Sequence, residues 1–133
     1  MSEIKYDIIG DIHGYSNTLV TMFNKLGYKF GGDCYRHPER KIIFLGDFID
    51  RGPHQREVIE LVRPMIENGA ALSVMGNHEF NSIAYFTQDP ESGDYLRKHL
   101  DKNKAQHQTF LDAYANAPEY EDVIRWFRSL PNV

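Results

Sequence analysis

Three short apolar runs punctuate the first eighty residues, and each gives way to a glycine. Ile8-Ile9 leads into Gly10-Asp11-Ile12-His13-Gly14. Ile42-Ile43-Phe44-Leu45 leads into Gly46-Asp47-Phe48-Ile49-Asp50-Arg51-Gly52. Ala71-Leu72-Ser73-Val74-Met75 leads into Gly76-Asn77-His78-Glu79. Short apolar runs bounded by turn residues predict buried strands, here over Ile4–Ile9, Lys41–Leu45 and Ala71–Met75. Between them the apolar spacing changes from two to helical. Leu19, Met22, Phe23 and Leu26 predict a helix capped by Asn17 and stopped by Gly27. Val58, Leu61, Val62, Met65 and Ile66 predict a second helix with Pro53 in its first turn, closed by Asn68-Gly69. Pro64 lies inside that stripe and predicts a kink or an early end. Gly31-Gly32 and Pro38 predict turns and a small hairpin within Tyr28–Arg40.

Further on, the pattern predicts a helix from Glu79 to Phe86 and a loop over Asp89–Asp94. A helical face carries His107, Phe110, Leu111 and Tyr114, and Asn116–Pro118 breaks it. Pro118 opens a last helix with Tyr120, Val123, Ile124 and Phe127 on one face. Leu130-Pro131-Asn132-Val133 reads as a lead into another strand, so the chain is expected to stop within an unfinished architecture, with an open sheet edge that a second copy would cover. Strand, helix, strand, helix, strand predicts a parallel α/β sheet with right-handed crossovers. Ligand sites in such sheets lie beyond the carboxyl ends of the strands. All three polar motifs fall there.

Composition narrows the class without naming a function. The length of 133 residues suits one domain, and 41% hydrophobic with 26% charged residues is ordinary for a globular chain. A net charge of −4 gives no support for a nucleic-acid polymer as partner. Cys34 is the single cysteine. It reads as a buried thiol in a reducing compartment, so the cytoplasm is expected. The amino terminus lacks a signal-peptide core and no run approaches a membrane span, so no membrane partner is expected. His37 and His54 fall in predicted turns, and His99 and His107 in helices. All four read as surface or packing residues.

The candidate chemistry lies in the three motifs. Asp11 and His13 can turn toward one cation, and a carboxylate with an imidazole suits manganese, iron or zinc better than magnesium or calcium. Asp47 has two oxygens and can bridge two cations roughly 3.5–4 Å apart. Asn77 offers a neutral carbonyl oxygen. Such a pair lowers the pKa of a bound water to about neutral and clamps phosphoryl oxygens. Arg51 can hold a phosphate through its planar fork, or pair on the surface with Asp50 or Glu57. His78 follows Asn77 and could protonate a leaving oxygen, with Asp50 fixing its tautomer. The arrangement reads as in-line attack of a metal-activated hydroxide on a phosphoester.

Gly-Asp-x-His-Gly at 10–14, Gly-Asp-x-x-Asp-Arg-Gly at 46–52 and Gly-Asn-His-Glu at 76–79 resemble the calcineurin-like metallophosphoesterases. The Asp-Arg-Gly form resembles the serine/threonine phosphoprotein phosphatase branch, which includes bacterial protein phosphatases and the symmetrical diadenosine tetraphosphatases. The resemblance spans Tyr6 to Glu79, and Lys104–Leu130 follows the family's helical segment. It implies an αββα-type sandwich, of which the first βαβαβ sheet half and a helical segment are present. It implies two divalent metal ions, manganese foremost with iron or zinc as alternatives. Asp11, His13 and Asp47 would hold the first, and Asp47 with Asn77 the second. It implies His78 as proton donor backed by Asp50, and Arg51, Asn77 and His78 on the substrate phosphate. The family supplies two further histidines from beyond the helical segment, and the chain ends at Val133 before them. The expectation is a single domain over residues 1–133, truncated at its carboxyl end. Its substrate would be a phosphoprotein, a dinucleoside polyphosphate or a small phosphomonoester. The competing expectation is an inactive chain that binds metal or self-associates.

Overall fold

The three apolar runs pair as parallel strands in the order in which the chain makes them. In the computed structural model, which describes residues 3–132, β1 is Lys5–Ile9, β4 is Arg40–Phe44 and β5 is Ala71–Ser73. The sheet order is β1-β4-β5, with Ile8 opposite Ile43 and Ile43 opposite Leu72. Helix α1 (Ser16–Leu26) and a two-stranded hairpin, β2 (Lys29–Phe30) with β3 (Tyr35–Arg36), fill the first crossover. Helix α2 (Gln55–Glu67) makes the second. Helices α3 (Asn77–Phe86), α4 (Asp101–Gln106), α5 (Gln108–Tyr114) and α6 (Tyr120–Ser129) follow. This is the mixed α/β architecture with a parallel sheet that the alternation predicts.

Strand side chains alternate faces, and the two faces differ in cover. Ile42 and Phe44 are fully buried and share a core with Leu19 and Phe23 of α1 and Val58, Val62 and Met65 of α2. Phe110 of α5 and Phe127 of α6 join the same core. Helix α2 packs on α1, α5 and β5, and α3 packs on α6. Residues of the other parity, Tyr6, Ile8 and Leu72, are exposed, Ile8 at 66%. The runs that read as buried strands are therefore buried on one face and bare on the other. No helix among the described residues is long and apolar enough to cross a membrane.

The departures from the expected boundaries have tertiary causes. Asn17 does not cap α1. Tyr15 stands at the cap without a side-chain bond, its N–H held by the Ile12 carbonyl at 3.1 Å in the preceding turn, and the helix starts at Ser16, one residue before Asn17. Pro53 lies before α2, not in it, since the His54 N–H donates to the Gly14 carbonyl at 2.9 Å and delays the helix to Gln55. Pro64 does not end α2, which runs on to Glu67. The fully buried Val62 and Met65 on either side outweigh the roughly 3 kcal/mol that an interior proline costs. Pro118 precedes α6 by two residues. Helix α3 begins at Asn77, two residues earlier than expected. Of the expected lead into a further strand, Val133 lies outside the described residues, while the Pro131 carbonyl accepts the Met75 N–H at 2.7 Å.

A half-buried ion pair fastens the edge strand. Arg40 grips Asp7 with two bonds, Nη2 to Oδ1 at 2.6 Å and Nε to Oδ2 at 2.8 Å, and the Tyr28 hydroxyl adds a third at 2.9 Å. The Arg40 hydrogen bond holds the Asp7 carboxyl below its ordinary 3.8, against the opposing effect of burial. A depressed carboxyl stabilises the fold above the unfolded-state pKa and loses that contribution as pH falls through the folded one. Asp7→Asn is thus expected to lower stability by about 1–3 kcal/mol at pH 7. The gap to wild type should start to narrow below about pH 4, the unfolded-state pKa, and close once pH falls below the lower folded-state one. Urea unfolding at pH 7 and pH 3 measures both.

Candidate metal and phosphate site

Backbone bonds lace the loops beyond β1 and β4 into one surface. The His13 and Gly14 N–H groups donate to the Asp47 and Phe48 carbonyls at 2.9 and 2.8 Å. The Gly52 N–H returns to the His13 carbonyl at 2.8 Å. The third loop is joined by a side chain. The Glu79 carboxylate, fully buried, accepts the N–H groups of Asp47 at 2.6 Å, Phe48 at 2.9 Å and Gly76 at 3.1 Å. Burial pushes this carboxyl up to about 7, while those N–H groups pull it down. The Asp47 Oδ1 in turn accepts the His78 N–H at 3.0 Å, at the start of α3.

This lacing holds the chain in costly conformations. Among the described residues, the non-glycine residues in the left-handed region are Asp11, His13, Asp47, Asp50 and Arg51, at φ 53°, 45°, 54°, 70° and 70°. Each costs roughly 1–2 kcal/mol, and all five belong to the first two polar motifs. Strain of this kind persists only where the surroundings enforce it, and it concentrates at functional sites.

The strain delivers a set of metal donors. One ligand atom from each of Asp11, His13 and Asp47 lies within 4.8 Å of the others. Asp11 is exposed, Asp47 half-buried and His13 buried. His13 Nδ1 lies 2.9 Å from the Ile49 carbonyl. A carbonyl only accepts, so Nδ1 carries the hydrogen and the Nε2 lone pair is left to face the carboxylates, with Asp11 Oδ1 at 3.9 Å. A backbone acceptor that fixes the tautomer is the usual second partner of a metal-ligating imidazole. The donors therefore fit a divalent cation. Asn77 is the exposed first residue of α3, between Gly76 and His78, both of which meet Asp47.

Beside these residues lies a histidine–carboxylate pair. His78 Nδ1 is 2.7 Å from Asp50 Oδ2, and the His13 and His78 rings meet edge to face with centroids 4.6 Å apart. Arg51 follows on the same turn with an exposed side chain. Among the described residues it forms no ion pair within 4.0 Å, so the surface pairing with Asp50 or Glu57 is not made.

Two residues escape sequence reasoning. Glu79 was visible only as the fourth letter of a motif, and its task of joining two loops depends on bonds to residues 31 and 32 positions away. His107, expected at the surface or in packing, is buried at the junction of α4 and α5 with Nδ1 2.6 Å from Asp50 Oδ1. No local signal ties it to a residue 57 positions earlier.

The loops approach so closely at Gly46 and Gly76 that a side chain has no room. A Cβ at Gly76 would overlap the Asp47 nitrogen and Oδ1, and one at Gly46 would overlap the Gly76 backbone. Gly76→Ala is expected to cost about 1–3 kcal/mol of stability by overpacking and to weaken metal binding by displacing Asp47. Urea unfolding and manganese titration read the two effects separately.

Such a fold, with carboxylates and an imidazole gathered beyond parallel strand ends, defines a class of metal-dependent phosphoester-handling proteins. The chain belongs to the calcineurin-like phosphoesterase family, whose model matches residues 4–132. It is similar to a bis(5'-nucleosyl)-tetraphosphatase PrpE (asymmetrical) of Anoxybacillus flavithermus, with 37% identity over 125 residues, 86% of this chain and 51% of that protein. The protein of the same name from Halalkalibacterium halodurans is 45% identical over 76 residues, 56% of this chain and 31% of its own length. A protein serine/threonine phosphatase from Saccharomyces cerevisiae shares the fold, with a TM-score of 0.59 at 22% identity, covering 98% of this chain and 34% of that one. The chain spans about half the length, or less, of the curated relatives it matches. Those relatives carry the qualifier asymmetrical, whereas the branch that the motifs resemble was described by its bacterial protein phosphatases and symmetrical diadenosine tetraphosphatases.

Proposed function

We propose that this chain carries the metal-binding and proton-donating half of a phosphoester hydrolase. The observation that carries the reading is the convergence of Asp11, His13 and Asp47 within 4.8 Å, in strained backbone, beside the His78–Asp50 pair. Asp11, His13 and Asp47 would hold one divalent cation, and Asp47 with Asn77 would contribute to a second. Manganese suits this donor set best, with iron or zinc as alternatives. Cations held there would supply an activated water and a clamp on the phosphoryl oxygens.

The chain's own residues do the rest. Arg51, on an exposed turn, receives the phosphate dianion through its fork. Asp50 holds the His78 Nδ1–H, so Nε2 is the atom left to give a proton to the leaving oxygen. On substrate, the relatives' names and one surface feature favour a nucleoside polyphosphate over a phosphoprotein. An open cleft of about 640 Å³, whose lining includes Tyr85, Tyr95, His99 and Tyr120, adjoins the pair through Tyr85. His99 is stacked between Tyr85 and Tyr95, so the face left for a nucleobase is the outer face of the exposed Tyr95.

The test is manganese-dependent phosphate release from p-nitrophenyl phosphate and from diadenosine tetraphosphate, measured on the product of the full reading frame. Turnover of both, with the dinucleotide preferred, is expected. No metal-dependent turnover on either would refute the reading. A second reading, metal binding with self-association and no catalysis, is favoured by the bare sheet face of Tyr6, Ile8 and Leu72. An active monomer by light scattering would exclude it.

A further inference from the structure

We infer that His107 is a positioning residue for the Asp50–His78 pair, an inference that rests on the proposed hydrolase. The Asp50 carboxylate is 4% exposed and is shared between two imidazoles, one on each oxygen: His78 Nδ1 at 2.7 Å from Oδ2 and His107 Nδ1 at 2.6 Å from Oδ1. An ionised carboxylate only accepts hydrogen bonds. Both Nδ1 atoms must therefore carry hydrogens. That leaves His107 Nε2 with its lone pair toward the Ser82 hydroxyl, 3.2 Å away and buried, which donates to it. The order of donation is then fixed from Ser82 through His107 to Asp50, and from His78 to Asp50.

The surroundings hold the His107 ring in this pose. Phe110 stacks on it with centroids 4.7 Å apart at 19°, and Tyr85 meets it nearly edge-on at 5.3 Å. The Asp50 backbone is clamped by Gln55, which accepts its N–H at 2.8 Å and donates to its carbonyl at 3.3 Å. The backbone being fixed, the rotation of the carboxylate is decided by the two imidazoles. Without His107, Oδ1 loses its partner in a buried space, and the carboxylate is free to swing off the His78 Nδ1. His78 then loses the contact that aims its Nε2.

A group that positions a proton donor matters most when the leaving oxygen is basic. The experiment compares His107→Phe and His107→Asn with wild type on phenyl phosphate and on p-nitrophenyl phosphate, whose leaving group is far more acidic. Phe keeps a ring without a donor, and Asn keeps a donor near the Nδ1 position. Expected for His107→Phe is a kcat on phenyl phosphate lower by about 10–100-fold, the scale of lost supporting hydrogen bonds, with KM little changed. The loss on p-nitrophenyl phosphate should be several-fold smaller, and His107→Asn should recover much of it. Equal losses on both substrates, or no loss, would overturn the inference. A second measurement keeps the question open to refutation if the Phe variant does not fold. Side-chain ¹⁵N spectra of the wild-type protein should show a hydrogen on Nδ1 of both His78 and His107, whether the His78 ring is neutral or carries the second proton that it donates. An Nε2–H tautomer at His107 would overturn the inference as well. Absence of any wild-type turnover would sink the hydrolase reading, while the spectra would still decide the His107 bond.

Discussion

Asp47→Asn is expected to lower metal-dependent phosphate release by about 10²–10³-fold, the scale reached when one well-placed electrostatic group is removed from an active site. Asp47 is central to the site in three ways. Its carboxylate lies in the donor cluster with Asp11 and His13, its Oδ1 accepts the His78 N–H, and its own N–H is held by Glu79. Asparagine is the informative replacement because it tolerates the left-handed backbone found here at φ 54°. It keeps an oxygen for the His78 N–H, removes the charge and turns the second oxygen into an amide donor that cannot hold a cation. A large loss with an unchanged urea midpoint would assign the effect to metal affinity. Loss of folding would instead point to the lacing of the loops. Manganese titration alongside the kinetics separates the two.

His78→Gln is expected to lower kcat by about 10²–10⁴-fold, the usual span for a positioned proton donor, while manganese affinity stays near wild type. The side chain, not the backbone, makes the bond to Asp50, and the His78 N–H that reaches Asp47 survives the change. Asp50→Asn should be nearly as damaging. Two imidazole N–H groups need two acceptors, and an amide offers one acceptor and one donor. One ring must then reverse its tautomer or lose its bond. Because the two residues act as a unit, the double variant should be little slower than the worse single one. Additive losses would show that Asp50 works independently of His78.

How much of this was legible in the chain depended on the range of the interaction. The strands announced themselves because each apolar run stops at a glycine, and helix periodicity located α1, α2 and α6 within a few residues. The meeting of Asp11, His13 and Asp47 was legible because a parallel sheet places its strand ends side by side. Boundaries failed where a distant group decided them: Gly14 holds His54 and so sets the start of α2, and buried Val62 and Met65 carry α2 through Pro64. Exposure of Ile8 and Leu72 was not legible, since a short apolar run reads as buried whichever face is covered. Within the site, Glu79 and His107 were missed for one reason. Each acts on a residue more than 30 positions away, through bonds that exist only once the loops have met.

Convergence of the donors is tested most directly by titrating manganese into the wild-type protein and into Asp11→Asn, His13→Gln and Asp47→Asn. All three single changes are expected to weaken the same binding event by more than about 100-fold, beyond the roughly 10–100-fold losses typical of supporting residues alone. Wild-type affinity in His13→Gln, or three variants that perturb different binding events, would contradict a shared cation site at the strand ends.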